Sequence, residues 1–90
     1  MNVLHERSIE RYLVARVRAK GGEIRKVKWI GRHGAPDRIA MLPGSTLWIE
    51  LKAPGEQCRP LQLREHERMR RMGQRVEVVD SFEGVDQVLQ

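Results

Sequence analysis

Two short apolar runs carry charges that buried strands do not ordinarily tolerate. Asp37 opens DRIAML, Glu50 and Lys52 lie in LWIELK, and twelve residues separate Asp37 from Glu50. Side chains alternate along a strand, so Trp48, Glu50 and Lys52 share one face while Leu47, Ile49 and Leu51 share the other. The link Pro43-Gly44-Ser45-Thr46 is a turn signal that pairs the two runs as an antiparallel hairpin. Asp37 then stands across the hairpin from the Glu50 patch. Two carboxylates converging in a partly buried place repel each other and lose hydration, which calls for a compensating positive charge. A divalent cation is the natural one. Hard oxygen ligands suit Mg²⁺ or Mn²⁺, which keep several waters and need few protein carboxylates. Such an ion polarises a phosphate oxygen and lowers the pKa of a bound water. Lys52 adds an ammonium where negative charge develops in the transition state. Taken singly, these residues read as a surface Glu-Lys pair and an Asp in a turn; taken together, they read as a phosphodiester-hydrolysing site.

The elements that must position them follow from periodicity. In residues 5–20, Ile9, Tyr12, Leu13 and Val17 recur at helical spacing and Gly21-Gly22 supplies a stop. Residues 23–29 alternate apolar and basic side chains and predict a strand, broken by IGRHGAP. The hairpin occupies 37–52, APGEQCRP is a loop, and LQLREHERMRRM predicts a helix over 61–72 ended by Gly73. In that helix Leu61, Met69 and Met72 mark the apolar side, with Arg64, Arg68 and Arg71 opposite. RVEVVD predicts a further strand, and Ser81 caps a terminal helix whose Phe82, Val85 and Leu89 face inward. The order is α-β-β-β-α-β-α, an α/β arrangement of one domain over residues 1–90.

Charge narrows the partners. The 90 residues hold 17 Lys plus Arg against 12 Asp plus Glu, a net charge of +5. A basic surface attracts phosphate backbones by counterion release, and arginine adds bidentate geometry, so nucleic acid is the expected partner. One cysteine, Cys58, cannot close an internal disulfide, and no apolar run reaches the ~20 residues of a membrane span. His5, His33 and His66 lack zinc-type spacing. An intracellular protein is expected. Arg25, Lys26, Lys28, Arg32, His33 and Arg38, in the segments leading into the hairpin, form the expected nucleic-acid track. Trp29 and Trp48 are the residues able to stack on bases, although in strands such side chains usually belong to the core.

The pattern Gly34-x-Pro36-Asp37, twelve residues, Glu50-x-Lys52 resembles the PD-(D/E)xK nuclease superfamily. More narrowly, GRHGAPDRIAMLPGSTLWIELKAPGEQCRPLQ is similar to the virus-type replication-repair nuclease, or VRR-NUC, domain. The resemblance covers nearly the whole chain. It implies a restriction-endonuclease-like fold with a central mixed sheet flanked by helices, and it extends the site to a glutamine that falls here on Gln62 and to a glutamate in the first helix. Two glutamates compete for that place. Glu6 lies at i−3, i−7 and i−11 from Ile9, Leu13 and Val17, in the middle of the apolar stripe, and is favoured; Glu10 lies one position round from the same line.

These residues set the functional expectation. Asp37, Glu50 and Glu6 would hold Mg²⁺ or Mn²⁺, with Lys52 and Gln62 completing the catalytic set of a DNA endonuclease. The resemblance implies a Holliday junction resolvase acting as a homodimer on four-way DNA junctions, cytoplasmic in a bacterium or a phage-infected host. The alternatives are a branched-DNA-binding module without catalysis, and a nuclease of flap or linear duplex DNA.

Overall fold

A computed structural model describes residues 5–90. Along the chain run α1 (Glu6–Ala19), β1 (Glu23–Lys26), β2 (Arg38–Leu42), β3 (Ser45–Leu51), α2 (Pro60–Arg71), β4 (Val76–Val79) and α3 (Phe82–Val88). This is the expected order. The four strands form one mixed sheet in the spatial order β1-β2-β3-β4, antiparallel except for the parallel pair β3 and β4. Parallel neighbours need a crossover between them, and the segment carrying α2 supplies it.

The sheet is covered unequally. On one face α1 and α3 pack together over an apolar core in which Ile9, Leu13 and Val17 of α1 meet Ala40, Leu47, Ile49, Leu51 and Val79 of the sheet and Val85 and Leu89 of the terminal segment. The i, i+4, i+8 stripe of α1 is the source of this contact. At its margin the Tyr12 hydroxyl donates to Asp86 at 2.8 Å. Gly22, in the link from α1 to β1, has no room for a side chain: a Cβ there would stand 2.7 Å from the Met41 carbonyl oxygen.

Several boundaries differ from expectation. β1 ends at Lys26 because β2 begins at Arg38; past the Val27 amide, which donates to the Asp37 carbonyl, no partner strand remains. The hairpin turn tightens to Pro43 and Gly44, since Ser45 already pairs with Leu42. Ser81 does cap α3, its hydroxyl accepting from the Gly84 amide at 2.9 Å, and Val85 and Leu89 are buried. Phe82 does not face inward: it is exposed, resting on the Tyr12 ring at 4.6 Å. The inward side of α2 also differs. Glu65, His66 and Met69 are buried, while Leu61 and Met72 are exposed.

Candidate active site

The expected charges gather on the face of the sheet that α2 covers. Arg38 pairs with Ile49 across the hairpin, so continuing the register by one residue sets Asp37 opposite Glu50. Their side chains share a face, because partners across a sheet do. Glu50 is 8% exposed and Lys52 7%, whereas the Asp37 side chain is more than half exposed. The site thus has a buried wall on β3 and an open rim at Asp37.

Helix α2 runs back along β3 and matches its spacing. Four residues of helix rise about 6 Å, and two residues of strand about 6.6 Å. Gln62 and His66, one helical turn apart, accordingly meet Lys52 and Glu50, two strand residues apart. The Lys52 ammonium donates to Gln62 Oε1 at 2.9 Å. The same oxygen accepts from the Arg59 amide at 2.8 Å, which ties down the first turn of α2. Gln62 therefore holds the lysine and the helix end with one acceptor. His66 Nε2 lies 3.4 Å from Glu50 Oε1, and its Nδ1 is buried without a hydrogen-bond partner among the described residues. A bare nitrogen lone pair is cheaper to bury than a stranded N–H, which places the ring proton on Nε2, facing the carboxylate.

The loop before Asp37 is pressed against the same helix. Gly34 has φ of +83°, and a Cβ on it would stand 2.8 Å from the Leu61 carbonyl oxygen and 3.2 Å from Gln62 Cα. Only glycine fits both the left-handed backbone and the close approach. The contact fixes where Pro36 and Asp37 emerge relative to Gln62.

The electrostatics are those of an acid site short of positive charge. Burial, then the charges of Asp37 and Glu6, raise the Glu50 carboxyl to about 7, against the opposing pull of Lys52 and Arg38. His66 is pushed down by burial and by Arg70 and Lys52, so it is neutral where Glu50 ionises. Among the described residues no three His, Cys, Asp or Glu side chains form a ready-made metal cage. Two facing carboxylates, one buried and reluctant to ionise, nevertheless suit a hard cation that keeps most of its waters. The donor set fits Mg²⁺ or Mn²⁺.

The remaining expected residues divide. Glu6 does not face the core as its place on the apolar stripe predicts; in the first turn of α1 it overhangs the end of the packed region and is exposed. It lines a cavity together with Ala53, the neighbour of Lys52, and its charge is felt at Glu50. Glu10 takes a different part. It forms an ion pair with Arg38, whose hydrogen bond, working against burial, holds the Glu10 carboxyl below its usual range. Arg38 is correspondingly drawn inward, 12% exposed, with its other nitrogen 2.9 Å from Asp37 Oδ2. Its place is between two acids of the site and not on an open phosphate track. Arg25, Lys26, Lys28, Arg32 and His33 are exposed; Arg25 pairs with Glu23, and Arg32 with the buried Glu65 at 3.5 Å.

Similarity to known proteins agrees with this arrangement. No family model matches the chain. A solved structure described as a VRR_NUC domain superimposes with a TM-score of 0.85, at 42% identity over 93% of this chain and 92% of that one. The protein named "Putative nuclease p44", from Acyrthosiphon pisum secondary endosymbiont phage 1, is 48% identical over 82 residues, 90% of this chain and 88% of its own length. The chain belongs to the VRR-NUC nuclease family. In this VRR-NUC domain the hairpin carries Asp37, Glu50 and Lys52, and α2 carries the residues that hold them. His66, Glu65 and the Glu10–Arg38 pair are what residue spacing alone misses. The signal for His66 was the stripe Gln62, His66, Met69, which is the true inward side of α2.

Proposed function

We propose that this VRR-NUC domain is a metal-dependent, structure-selective DNA endonuclease, acting as a homodimeric Holliday junction resolvase. The observation that carries the reading is the buried Glu50 beside Lys52, facing Asp37 across the hairpin, a costly arrangement that a binding module has no use for. Asp37 and Glu50 would hold Mg²⁺ or Mn²⁺, with Glu6 at the mouth reaching the ion or its waters. Bound there, the ion supplies an activated water and a Lewis acid for the phosphate. Lys52, held by Gln62, presents its ammonium to the phosphate oxygen on which negative charge grows. His66 orients Glu50. Arg25, Lys26, Lys28, Arg32 and His33, exposed in the segments before the hairpin, would offer phosphate contacts. Symmetrical incision of a four-way junction needs two active sites and each chain has one, which supports a dimer as the working form.

The test is cleavage of four-way junction, flap, nicked and linear duplex DNA with Mg²⁺ and with Mn²⁺, together with sedimentation of the protein. Paired symmetrical cuts in the junction by a dimer are expected, and Asp37→Asn should abolish them. Undiminished cleavage by Asp37→Asn would overturn the assignment; a monomer that cuts only flaps would overturn the resolvase reading.

A further inference from the structure

Beyond the carboxylates lies a groove of about 320 Å³ that the proposed chemistry does not use. Its walls are Trp29 and Trp48, with ring centroids 5.2 Å apart and planes inclined at 47°, facing Met69 and the 76%-exposed Met72. Arg32 and Arg68 stand at its rim. We propose that this groove is a subsite for an unpaired nucleobase of the DNA strand, next to the phosphate being cut. The proposal rests on the nuclease reading for that adjacency.

Three observations carry it. The groove adjoins the site: Trp48 is two residues before Glu50 on the same face of β3, and the Trp29 indole N–H donates to the carbonyl of Pro36, the residue before Asp37, at 2.8 Å. Each tryptophan is thus tied to one of the two facing carboxylates. The groove is also preformed. Trp48 Nε1 donates to Gln74 Oε1 at 3.0 Å, so both indoles have their polar edges fixed, and the ring surface that they do not bury against each other lines the groove. Finally, the rim has the charge that nucleic acid seeks. Arg32 and Arg68 share the single buried carboxylate of Glu65, at 3.5 and 3.1 Å, which orients two half-exposed guanidiniums and leaves them net positive. A paired base has no free face to offer; a base unstacked at a branch, flap or single-stranded end does.

The protein reports on this groove by itself, because its only two tryptophans line it. Intrinsic fluorescence is followed in EDTA while the protein is titrated with oligodeoxythymidylate, with an abasic strand of equal length and with blunt duplex. Saturable quenching by the thymidylate strand is expected, with the abasic strand roughly tenfold weaker for the loss of stacking. Equal quenching by the abasic strand, or none by either, overturns the proposal. So does emission that changes with protein concentration alone in step with dimerisation, since a second copy would then cover the groove. Cleavage of branched DNA with Mg²⁺ is measured in parallel: cleavage without quenching overturns the subsite alone, and base-dependent quenching without cleavage overturns the nuclease reading while supporting the subsite.

Discussion

Strand β3 presents two unlike surfaces one residue apart. Toward α1 and α3 it offers Leu47, Ile49 and Leu51, sealed in an aliphatic core; toward α2 it offers Trp48, Glu50 and Lys52, where the buried neighbours are Glu65, His66 and Met69. A fully buried aliphatic side chain stabilises by about 1.5–3 kcal/mol, whereas a buried carboxylate short of compensation destabilises. The first face therefore carries the fold and the second draws on it. Period-two alternation lets the six residues from Leu47 to Lys52 do both, and it gives the site a rigid backing, since Trp48 and Glu50 are flanked on both sides, and Lys52 on one, by buried aliphatic residues.

Substitutions on the two faces should separate activity from stability. The largest effect is expected from Lys52→Met, which keeps the aliphatic stem and removes the ammonium. Cleavage should fall by about 10²–10³-fold, the loss typical of one transition-state donor, with little change in Tm. Leu13→Ala is the complementary test. It should cost about 3 kcal/mol, on the order of 15 °C in Tm, with the turnover of the folded fraction unchanged. Thermal melts and single-turnover cleavage on both variants check the division; a Lys52→Met protein that melts as early as Leu13→Ala would break it.

Acidity sharpens the same contrast. Folding raises Glu50 from 4.5 to about 7. Between these values the native state holds a proton that the unfolded chain has released, so this group's contribution to stability is greatest below about 4.5 and is lost as pH rises to about 7. The difference amounts to roughly 3 kcal/mol. His66, whose pKa is lowered, runs the other way: its contribution is lost as pH falls below its ordinary 6.5. Comparing wild type with Glu50→Gln in chelator isolates the carboxylate. The glutamine variant should gain stability over wild type progressively between pH 4.5 and 8, and an equal difference at pH 5 and pH 8 would refute the assignment. At subsaturating Mg²⁺, cleavage by the wild type should fall by up to about tenfold per pH unit on the acid side, because protons compete with the cation for Glu50, and raising the Mg²⁺ concentration should move that limb to lower pH.

The two faces also differed in how far they could be read from residue order. The core face was legible because its signals are local: the stripe of Ile9, Leu13 and Val17, and the alternation in LWIELK, name their own partners. The Asp37, Glu50 and Lys52 cluster was legible because charge inside an apolar alternation has few structural explanations. What stayed hidden depends on distant partners. Apolar spacing alone assigns the inward side of α2 to Leu61, Met69 and Met72, but the space beneath it is filled by Glu50 and Lys52, so polar Gln62 and His66 turn inward while Leu61 and Met72 turn out. Arg38 looked like a phosphate contact because its acid, Glu10, lies 28 residues earlier on α1.

Gln62 lies where the two roles meet, and its removal should have the smallest but most informative effect. Its Oε1 serves the Arg59 amide at the end of α2 and the Lys52 ammonium in the site. Gln62→Ala loses both, so about 1 kcal/mol of stability should go with the cap, and cleavage should drop roughly tenfold as Lys52 leaves its place. Gln62→Glu separates the two losses. It restores an acceptor for both donors, so Tm should recover, but it adds a third carboxylate near Glu50 and should move the acidic limb of the cleavage profile to higher pH. If Gln62→Ala lowered Tm while leaving cleavage and its pH profile untouched, Gln62 would be a helix cap only, and Lys52 would be held by its burial on β3 alone.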